Sequence, residues 1–151
     1  MTMKNLFEPD AVAELKGRLS HLTPGSVRQW GKMTPAQAMA HYSAQMEMVL
    51  GQTLLRRSLL GRLFGRRAKV KFLGEEPLER NMPTDNLFLI TDPRDLEWER
   101  ERVQALLDRF LREGPTMCTK HPHSFLGSMT PTEWARPMYK HRDHHLRQFG
   151  V

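Results

Sequence analysis

Cysteine is nearly absent from this 151-residue sequence, in which Cys118 is the only one. No disulfide can therefore form within the chain, which excludes the small secreted scaffolds that disulfides hold together. No apolar run approaches the roughly 18 residues that a membrane-spanning helix needs. The first ten residues, MTMKNLFEPD, also lack the apolar segment of a secretory signal. We therefore expect a cytoplasmic protein without a membrane span.

Familiar catalytic motifs are also missing. The sequence has no G-x-S-x-G and no glycine-rich phosphate loop, and Asp143 and Glu133 do not form a convincing carboxylate pair. Cys118 lies near His121 and His123, but this spacing matches no ordinary zinc module. We interpret Cys118 as structural or incidental. No side chain offers a good nucleophile, so a reaction would need an external one.

The composition is that of an ordinary globular protein, with 39% hydrophobic and 26% charged residues. The length predicts one domain, residues 1–151. The formal net charge is +6, from 23 basic and 17 acidic residues. That charge permits contact with nucleic acid, anionic lipid or acidic metabolites, but it does not choose among them.

Four helix starts are visible as capping patterns. Thr34 and Thr130 each precede a proline and are followed three residues later by Gln or Glu, which is the pattern of a capping box. Asp92-Pro93 is a variant with an acidic cap, and Glu8-Pro9 is a weaker start. With their apolar stripes, these starts predict helices over residues 9–22, 35–50, 93–113 and 131–149. The pattern predicts an all-α fold, an antiparallel four-helix bundle. Pro137 should kink or restart the last helix.

The connection between the second and third predicted helices is long, running from Gly51 to Thr91. Such a length indicates a function or an extra short helix. Residues 54–72 contain no acid and seven basic residues: Arg56, Arg57, Arg62, Arg66, Arg67, Lys69 and Lys71. This segment can lie on a membrane surface or follow phosphates. Alternatively, it forms a short helix that packs its Leu and Phe onto the bundle and exposes its arginines. Residues 87–90 can be extended, but they have no obvious partner strand.

Three of the seven histidines lie close together near the end of the sequence. His141 and His145 are four residues apart, so on a helix their imidazoles leave the same face and can hold one metal ion. His144 is the rival for the second position. It shares a stripe with Lys140 and Arg147, and such a stripe is normally solvated.

A metal site in a helical bundle needs ligands from facing helices. His41 is the best third ligand, because it lies on a face otherwise filled by apolar and amide side chains. Gln148, one turn beyond His145, is placed to orient a ligand imidazole or a bound water. Tyr42 and His123 are further candidates for the pocket. Three imidazoles suit zinc, nickel or iron, and the sequence does not choose among these divalent metals.

Two motifs carry a resemblance to a known family. The segment Met33-Thr-Pro-Ala-Gln-Ala-Met-Ala-His41 and the ending Tyr139-Lys-His-Arg-Asp-His-His-Leu-Arg-Gln-Phe-Gly150 resemble the DinB-like superfamily of metal-dependent enzymes. The resemblance covers essentially the whole chain and is most similar to a subfamily of unknown function. Two departures are visible, Ser124 after His123 and Pro137 in the last helix.

The resemblance implies a four-helix bundle whose three-histidine metal site falls on His41, His141 and His145. Members of the superfamily include transferases that use low-molecular-weight thiols and a thiol-dependent isomerase. We therefore expect a metal-dependent enzyme, a thiol transferase, that acts on a small molecule; a homodimer is compatible with this. The alternatives are a metal-dependent hydrolase and a non-catalytic binding module that uses residues 54–72. Nucleic acid is not the expected partner.

Overall fold

The computed structural model describes residues 3–151, and all regular secondary structure in this range is helical. Its elements are α1 (Pro9–Ser20), α2 (Pro35–Val49), α3 (Leu59–Leu73), α4 (Leu96–Glu113) and α5 (Pro131–Gln148), with 3₁₀ turns at Asn86–Phe88 and Pro115–Met117. The predicted all-α class is confirmed, and no strand forms within the described range. None of these helices is long and apolar enough to cross a bilayer.

The two predicted capping boxes are present. The Thr34 hydroxyl accepts a hydrogen bond from the Gln37 backbone N–H, and the Gln37 side chain accepts one from the Thr34 N–H. Thr130 and Glu133 make the same reciprocal pair at the start of α5. The caps fix where α2 and α5 begin, and these two helices carry the candidate metal ligands.

The start predicted for α4 at Asp92-Pro93 is wrong, because the helix begins at Leu96. Its cap is Asp95, whose carboxylate accepts a hydrogen bond from the Trp98 backbone N–H. Asp92 instead directs its backbone carbonyl to the Gln37 side chain, 3.0 Å away. A tertiary contact therefore holds residue 92 outside the helix, and the next acidic residue supplies the cap.

Four helices enclose the core. α2 packs against α4 and α5, and α1 packs against the same two helices, so the four close into a ring. α2 is buried along most of its length. α5 continues through Pro137 without a restart. The largest fully buried apolar side chains are those of Leu6, Leu15, Leu19, Leu22, Met39, Tyr42, Met46, Leu107, Phe110 and Leu146.

The connection between α2 and α4 is not a continuous loop, because it contains α3. This helix contacts α5 at its edge, and its buried residues are Gly61 and Gly65. A Cβ atom on Gly65 would lie 2.1 Å from the Phe125 carbonyl oxygen, so only glycine lets the two backbones approach this closely. The predicted short helix forms and Arg62, Arg66 and Arg67 are exposed, as one of the two alternatives required. Its predicted packing is wrong for the first half of the helix, although Leu55 just before it packs against the core. The glycines face inward, and Leu63 and Phe64 are exposed.

Residues 87–90 are also not a strand. Asn86–Phe88 forms a 3₁₀ turn capped by Asp85, whose carboxylate accepts from the Leu87 backbone N–H. Phe88 is buried and packs in the core. This turn therefore positions the Phe88 backbone against α2, where its carbonyl meets His41.

Candidate metal centre

His41 on α2 and His141 and His145 on α5 come together in the interior. The His141 Nε2 atom lies 3.1 Å from the Nε2 of His41 and 2.9 Å from the Nε2 of His145. Among the described residues, these three form a His/Cys/Asp/Glu group compact enough to hold one metal ion, with ligand atoms within 4.8 Å of one another. All three side chains are buried. The structure thus brings together the three histidines that the sequence selected.

Hydrogen bonds from the other ring nitrogen fix the orientation of two of these imidazoles. His41 Nδ1 lies 2.7 Å from the Phe88 carbonyl oxygen, and His145 Nδ1 lies 2.9 Å from Gln148 Oε1. Both partners are acceptors, so we assign the proton of each neutral ring to Nδ1. The Nε2 lone pairs of His41 and His145 then point into the space between the three rings. Metal-binding histidines are held by outer hydrogen bonds of this kind.

Gln148 is itself held by the loop before α2. Its Nε2 donates to the Trp30 carbonyl, 2.9 Å away, which leaves Oε1 facing His145. Gly31 borders this contact with a φ of +77°, and a Cβ there would lie 2.5 Å from Gln148 Nε2. A left-handed φ and the lack of space both favour glycine at this position. Gly31 and Trp30 therefore orient Gln148, which in turn orients His145.

Burial keeps the three rings neutral. It lowers the pKa of His41 below the ordinary value of 6.5, with the bond to Phe88 opposing the shift. It lowers the pKa of His141 and His145 well below that value, and the neighbouring histidines add to the effect. Neutral imidazole is the form that binds a metal ion. The site is therefore ready for a cation without first losing protons at neutral pH.

His141 provides the test of whether a cation fits. If the proton of His141 is on Nε2, it can form a hydrogen bond with His41 or with His145 but not with both. If Nδ1 carries it, this N–H is buried with no hydrogen-bond partner in residues 3–151. In the second arrangement three lone pairs face each other, and a shared cation resolves their repulsion. The donor set therefore fits a metal ion.

Tyr42 supports the ring of His141 from the core side. The two ring centroids are 5.6 Å apart, and the Tyr42 hydroxyl donates to the Met138 carbonyl at 3.2 Å. Burial raises the pKa of Tyr42 far above its usual value, so the hydroxyl keeps its proton. Tyr42 acts here as a packing and hydrogen-bonding support.

Gln45 lies at the less buried side of the centre. Its side-chain nitrogen is 3.3 Å from His41 Nε2, one helical turn further along α2. Gln45 is half-buried, whereas the three histidines are at most 8% exposed. The Gln45 amide can donate or accept a hydrogen bond beside His41.

His144 is directed away from the trio. Its Nε2 accepts from the Trp30 indole N–H at 3.4 Å, and the Arg80 guanidinium stacks over that indole at 4.3 Å. A cleft of about 290 Å³ lies on this side of α5, lined by His144, Trp30 and Arg80 among others. None of the three converging histidines lines this cleft.

His123 stabilises a turn and does not join the trio. Its Nδ1 accepts hydrogen bonds from the backbone N–H groups of Phe125 and Leu126, at 3.0 and 3.1 Å. Burial, assisted by the charge of Arg57, lowers the pKa of His123 to about 4, so the ring remains an acceptor at neutral pH. Within residues 3–151, no hydrogen bond or salt bridge joins the basic segment to the three histidines.

The free thiol of Cys118 is buried, and burial raises its pKa to about 11. Such a thiol is a poor nucleophile at neutral pH. This agrees with the interpretation of Cys118 as structural or incidental.

Sequence reasoning identified Gln148 as a support for a ligand imidazole, but it missed the Phe88 carbonyl and Gly31. The Phe88 carbonyl has no side-chain signature at all. Gly31 could have been noticed only as a glycine next to a tryptophan in a loop, with no indication that its partner is Gln148. Each lies far along the chain from the residue that it supports, since Phe88 is 47 residues from His41 and Gly31 is 117 residues from Gln148.

Comparison with known families matches residues 3–150 to the family described as "Protein of unknown function (DUF1569)". Comparisons with curated proteins and with solved structures gave no match. Because the family is described as one of unknown function, a functional conclusion has to rest on the geometry of the site itself.

Proposed function

The chain belongs to this family of unknown function, DUF1569, and from the geometry of its centre we propose that it is a metal-dependent enzyme for small thiols or for electrophiles that thiols attack. The observation that carries the proposal is the convergence of three neutral imidazole Nε2 atoms, with the outer nitrogens of His41 and His145 held by Phe88 and Gln148. Zinc, nickel and iron all suit this donor set.

The proposal includes a DinB-like four-helix bundle as the scaffold. It is supported by the ring of α1, α2, α4 and α5, and by ligands from α2 and α5 that meet inside it. In this assignment α3 is an additional helix in the connection between α2 and α4.

The residues around the centre have distinct roles in the proposed reaction. Three protein ligands leave coordination positions open, and a metal bound there would lower the pKa of a thiol or water that takes such a position. Gln45 is placed to hydrogen-bond an incoming group beside His41. Burial of the three rings limits the access of bulk water. Since the Cys118 thiol is buried with a raised pKa, the thiol is expected to come from outside the chain.

Metal content tests whether the three histidines bind a metal ion. Protein purified without an affinity tag should contain about one equivalent of a divalent metal, and His41→Ala should contain almost none. His21→Ala is the matched control, because His21 is exposed at the end of α1 and should leave the metal content unchanged. Equal and negligible metal in all three proteins, before and after incubation with zinc, nickel or iron, would refute the metal centre.

An activity screen tests whether the metal-loaded protein acts on thiols. The metal-loaded protein is screened with several low-molecular-weight thiols and a generic electrophile, with His145→Ala as the inactive comparison. Faster thiol consumption by the wild type than by the variant supports thiol transfer. If rates are equal for every thiol but a generic ester is hydrolysed only by the wild type, the function is metal-dependent hydrolysis and the thiol assignment fails.

A further inference from the structure

α3 exposes an apolar face to solvent. Leu59, Leu63 and Val70 are 78%, 75% and 74% exposed, and Leu60 and Phe64 are also exposed. At 100° per residue these five side chains lie on one side of the helix, opposite Gly61 and Gly65. The glycines occupy the contact with the protein, so the larger apolar side chains remain outside it.

Basic side chains border this apolar face and also interrupt it: at 100° per residue Arg66 lies beside Leu59 at one edge, whereas Arg67 lies between Leu63 and Leu60. Within residues 3–151, Arg62, Arg66 and Arg67 are exposed and make no salt bridge or side-chain hydrogen bond. Lys69 and Lys71 pair with Glu133 and Glu79. No acidic residue occurs between positions 54 and 72. The face is therefore both apolar and positively charged.

Hydrogen bonds near both ends of α3 attach the helix to the body of the protein. Arg57 donates to the carbonyls of His123 and Phe125, and Lys140 donates to the carbonyls of Phe72 and Gly74 at the end of α3. With 15 residues, the helix presents a surface about 22 Å long.

We propose that α3 binds the surface of an anionic lipid bilayer, with its apolar side chains between the headgroups and its arginines on the lipid phosphates. An interfacial helix of this kind lies in the plane of the membrane, with its apolar face shallowly buried and basic residues at its sides. Two other occupants fit less well. Duplex DNA would engage the arginines but would leave Leu59, Leu63 and Val70 without an apolar environment. A second copy would bring two unpaired arginine clusters together.

Vesicle sedimentation tests this proposal with the full-length protein. Vesicles of equal parts phosphatidylglycerol and phosphatidylcholine should bind the protein at about 0.1 M salt and release most of it at about 1 M. Vesicles of phosphatidylcholine alone should bind weakly. Equal binding to both vesicle types, or no binding to the anionic ones, would overturn the proposal.

Two sets of variants separate the contributions of charge and apolar surface. Replacement of Arg62, Arg66 and Arg67 by Gln should weaken binding on the order of 100-fold. A charge-matched control replaces the exposed Arg28, Lys32 and Arg112 by Gln and should weaken binding much less. Equal losses in the two triple variants would mean that net charge alone is responsible and would overturn the assignment to α3.

The apolar contribution is tested by Leu59→Ser combined with Leu63→Ser, which should weaken vesicle binding about tenfold or more. Both residues are exposed, so the fold should persist, and a far-ultraviolet circular dichroism spectrum verifies this. Unchanged vesicle binding by this variant would refute insertion of α3.

Other occupants are measured in parallel. Tight retention of duplex DNA without vesicle binding would assign the face to nucleic acid. A concentration-dependent dimer abolished by Leu63→Ser, again without vesicle binding, would assign it to a second copy. Either result overturns the lipid proposal.

Discussion

Gln148→Ala is the most informative change near the candidate metal centre, because it alters the support of a ligand and leaves the three ligands in place. Gln148 Oε1 accepts the His145 Nδ1–H at 2.9 Å, and Gln148 is only 4% exposed. Alanine cannot replace that acceptor. The buried N–H of His145 would then lack a partner and the ring would be free to turn.

The expected loss follows from that unsatisfied group. Leaving a buried donor without an acceptor costs about 1–3 kcal/mol. At about 1.4 kcal/mol per factor of ten, this corresponds to roughly 5- to 150-fold in affinity. Mutating the outer partner of a metal-binding histidine typically costs about 10- to 100-fold in metal affinity. We therefore expect the zinc dissociation constant of Gln148→Ala to rise about 10- to 100-fold.

Gly31→Ala should disturb the same hydrogen bond between Gln148 and His145 by displacing Gln148. The new Cβ would lie 2.5 Å from Gln148 Nε2, and this flexible amide would move away more easily than the backbone. Zinc affinity should fall in the same direction. Once Gln148 is alanine, Gly31→Ala should have little further effect on affinity, because both changes act through one hydrogen bond.

The measurement is zinc competition with a chromophoric chelator at neutral pH. Gln104→Ala on α4 is the matched control, since Gln104 makes no side-chain hydrogen bond in the described range. A folded Gln148→Ala protein with zinc affinity within about twofold of wild type would refute the role assigned to Gln148. Additive effects of Gly31→Ala and Gln148→Ala would refute their action through a shared contact.

Three further predictions concern stability, measured as the free energy of unfolding in urea. Gly65→Ala should destabilise the protein by about 1–3 kcal/mol, because the new Cβ would clash with the Phe125 carbonyl. Gly17→Ala in α1 has open space around it and should stabilise the protein by about 0.5–1 kcal/mol. Equal effects of the two substitutions would contradict the close contact at Gly65. Arg142→Met should stabilise by up to about 3 kcal/mol, because burial lowers the pKa of this fully buried arginine to about 10. A clear loss of stability would show that the contacts of the guanidinium with the Tyr42 ring and the Met39 sulfur outweigh the cost of burial. The pKa of His123 is lowered to about 4, so its contribution of roughly 3 kcal/mol should be present above pH 6.5 and disappear as the pH falls toward 4. Between pH 6.5 and 4, the His123→Gln variant should lose less stability than the wild type. An identical pH dependence of the two proteins would contradict the lowered pKa of His123.

Much of the candidate site was predictable because its features are local. A capping box is complete within four residues, so Thr34 and Thr130 mark where α2 and α5 begin without reference to the rest of the chain. The spacing of His141 and His145 places both rings on one face of any helix. The position of His41 within a largely apolar helix indicated that it is buried. These relations depend on the geometry of a single helix.

Longer-range features were not predictable in this way. The sequence placed α4 three residues too early, because it does not reveal that Gln37 holds the Asp92 carbonyl. It also assigned the wrong face of α3 to the interior. Hydrophobicity favours burial of Leu63 and Phe64, but close contact with the Phe125 backbone requires glycine.

The sequence by itself determined the elements that carry the three histidines and the face on which two of them lie. Only the tertiary structure decided that His144 turns to Trp30 while His145 meets His41, and that the Phe88 carbonyl fixes the outer nitrogen of His41. The physical reason is the range of the interactions. Capping, helical periodicity and the His145–Gln148 hydrogen bond act over three or four residues, whereas the rotation of α5 and the tertiary partners of the histidines and Gln148 depend on segments 47 to 118 residues away along the chain.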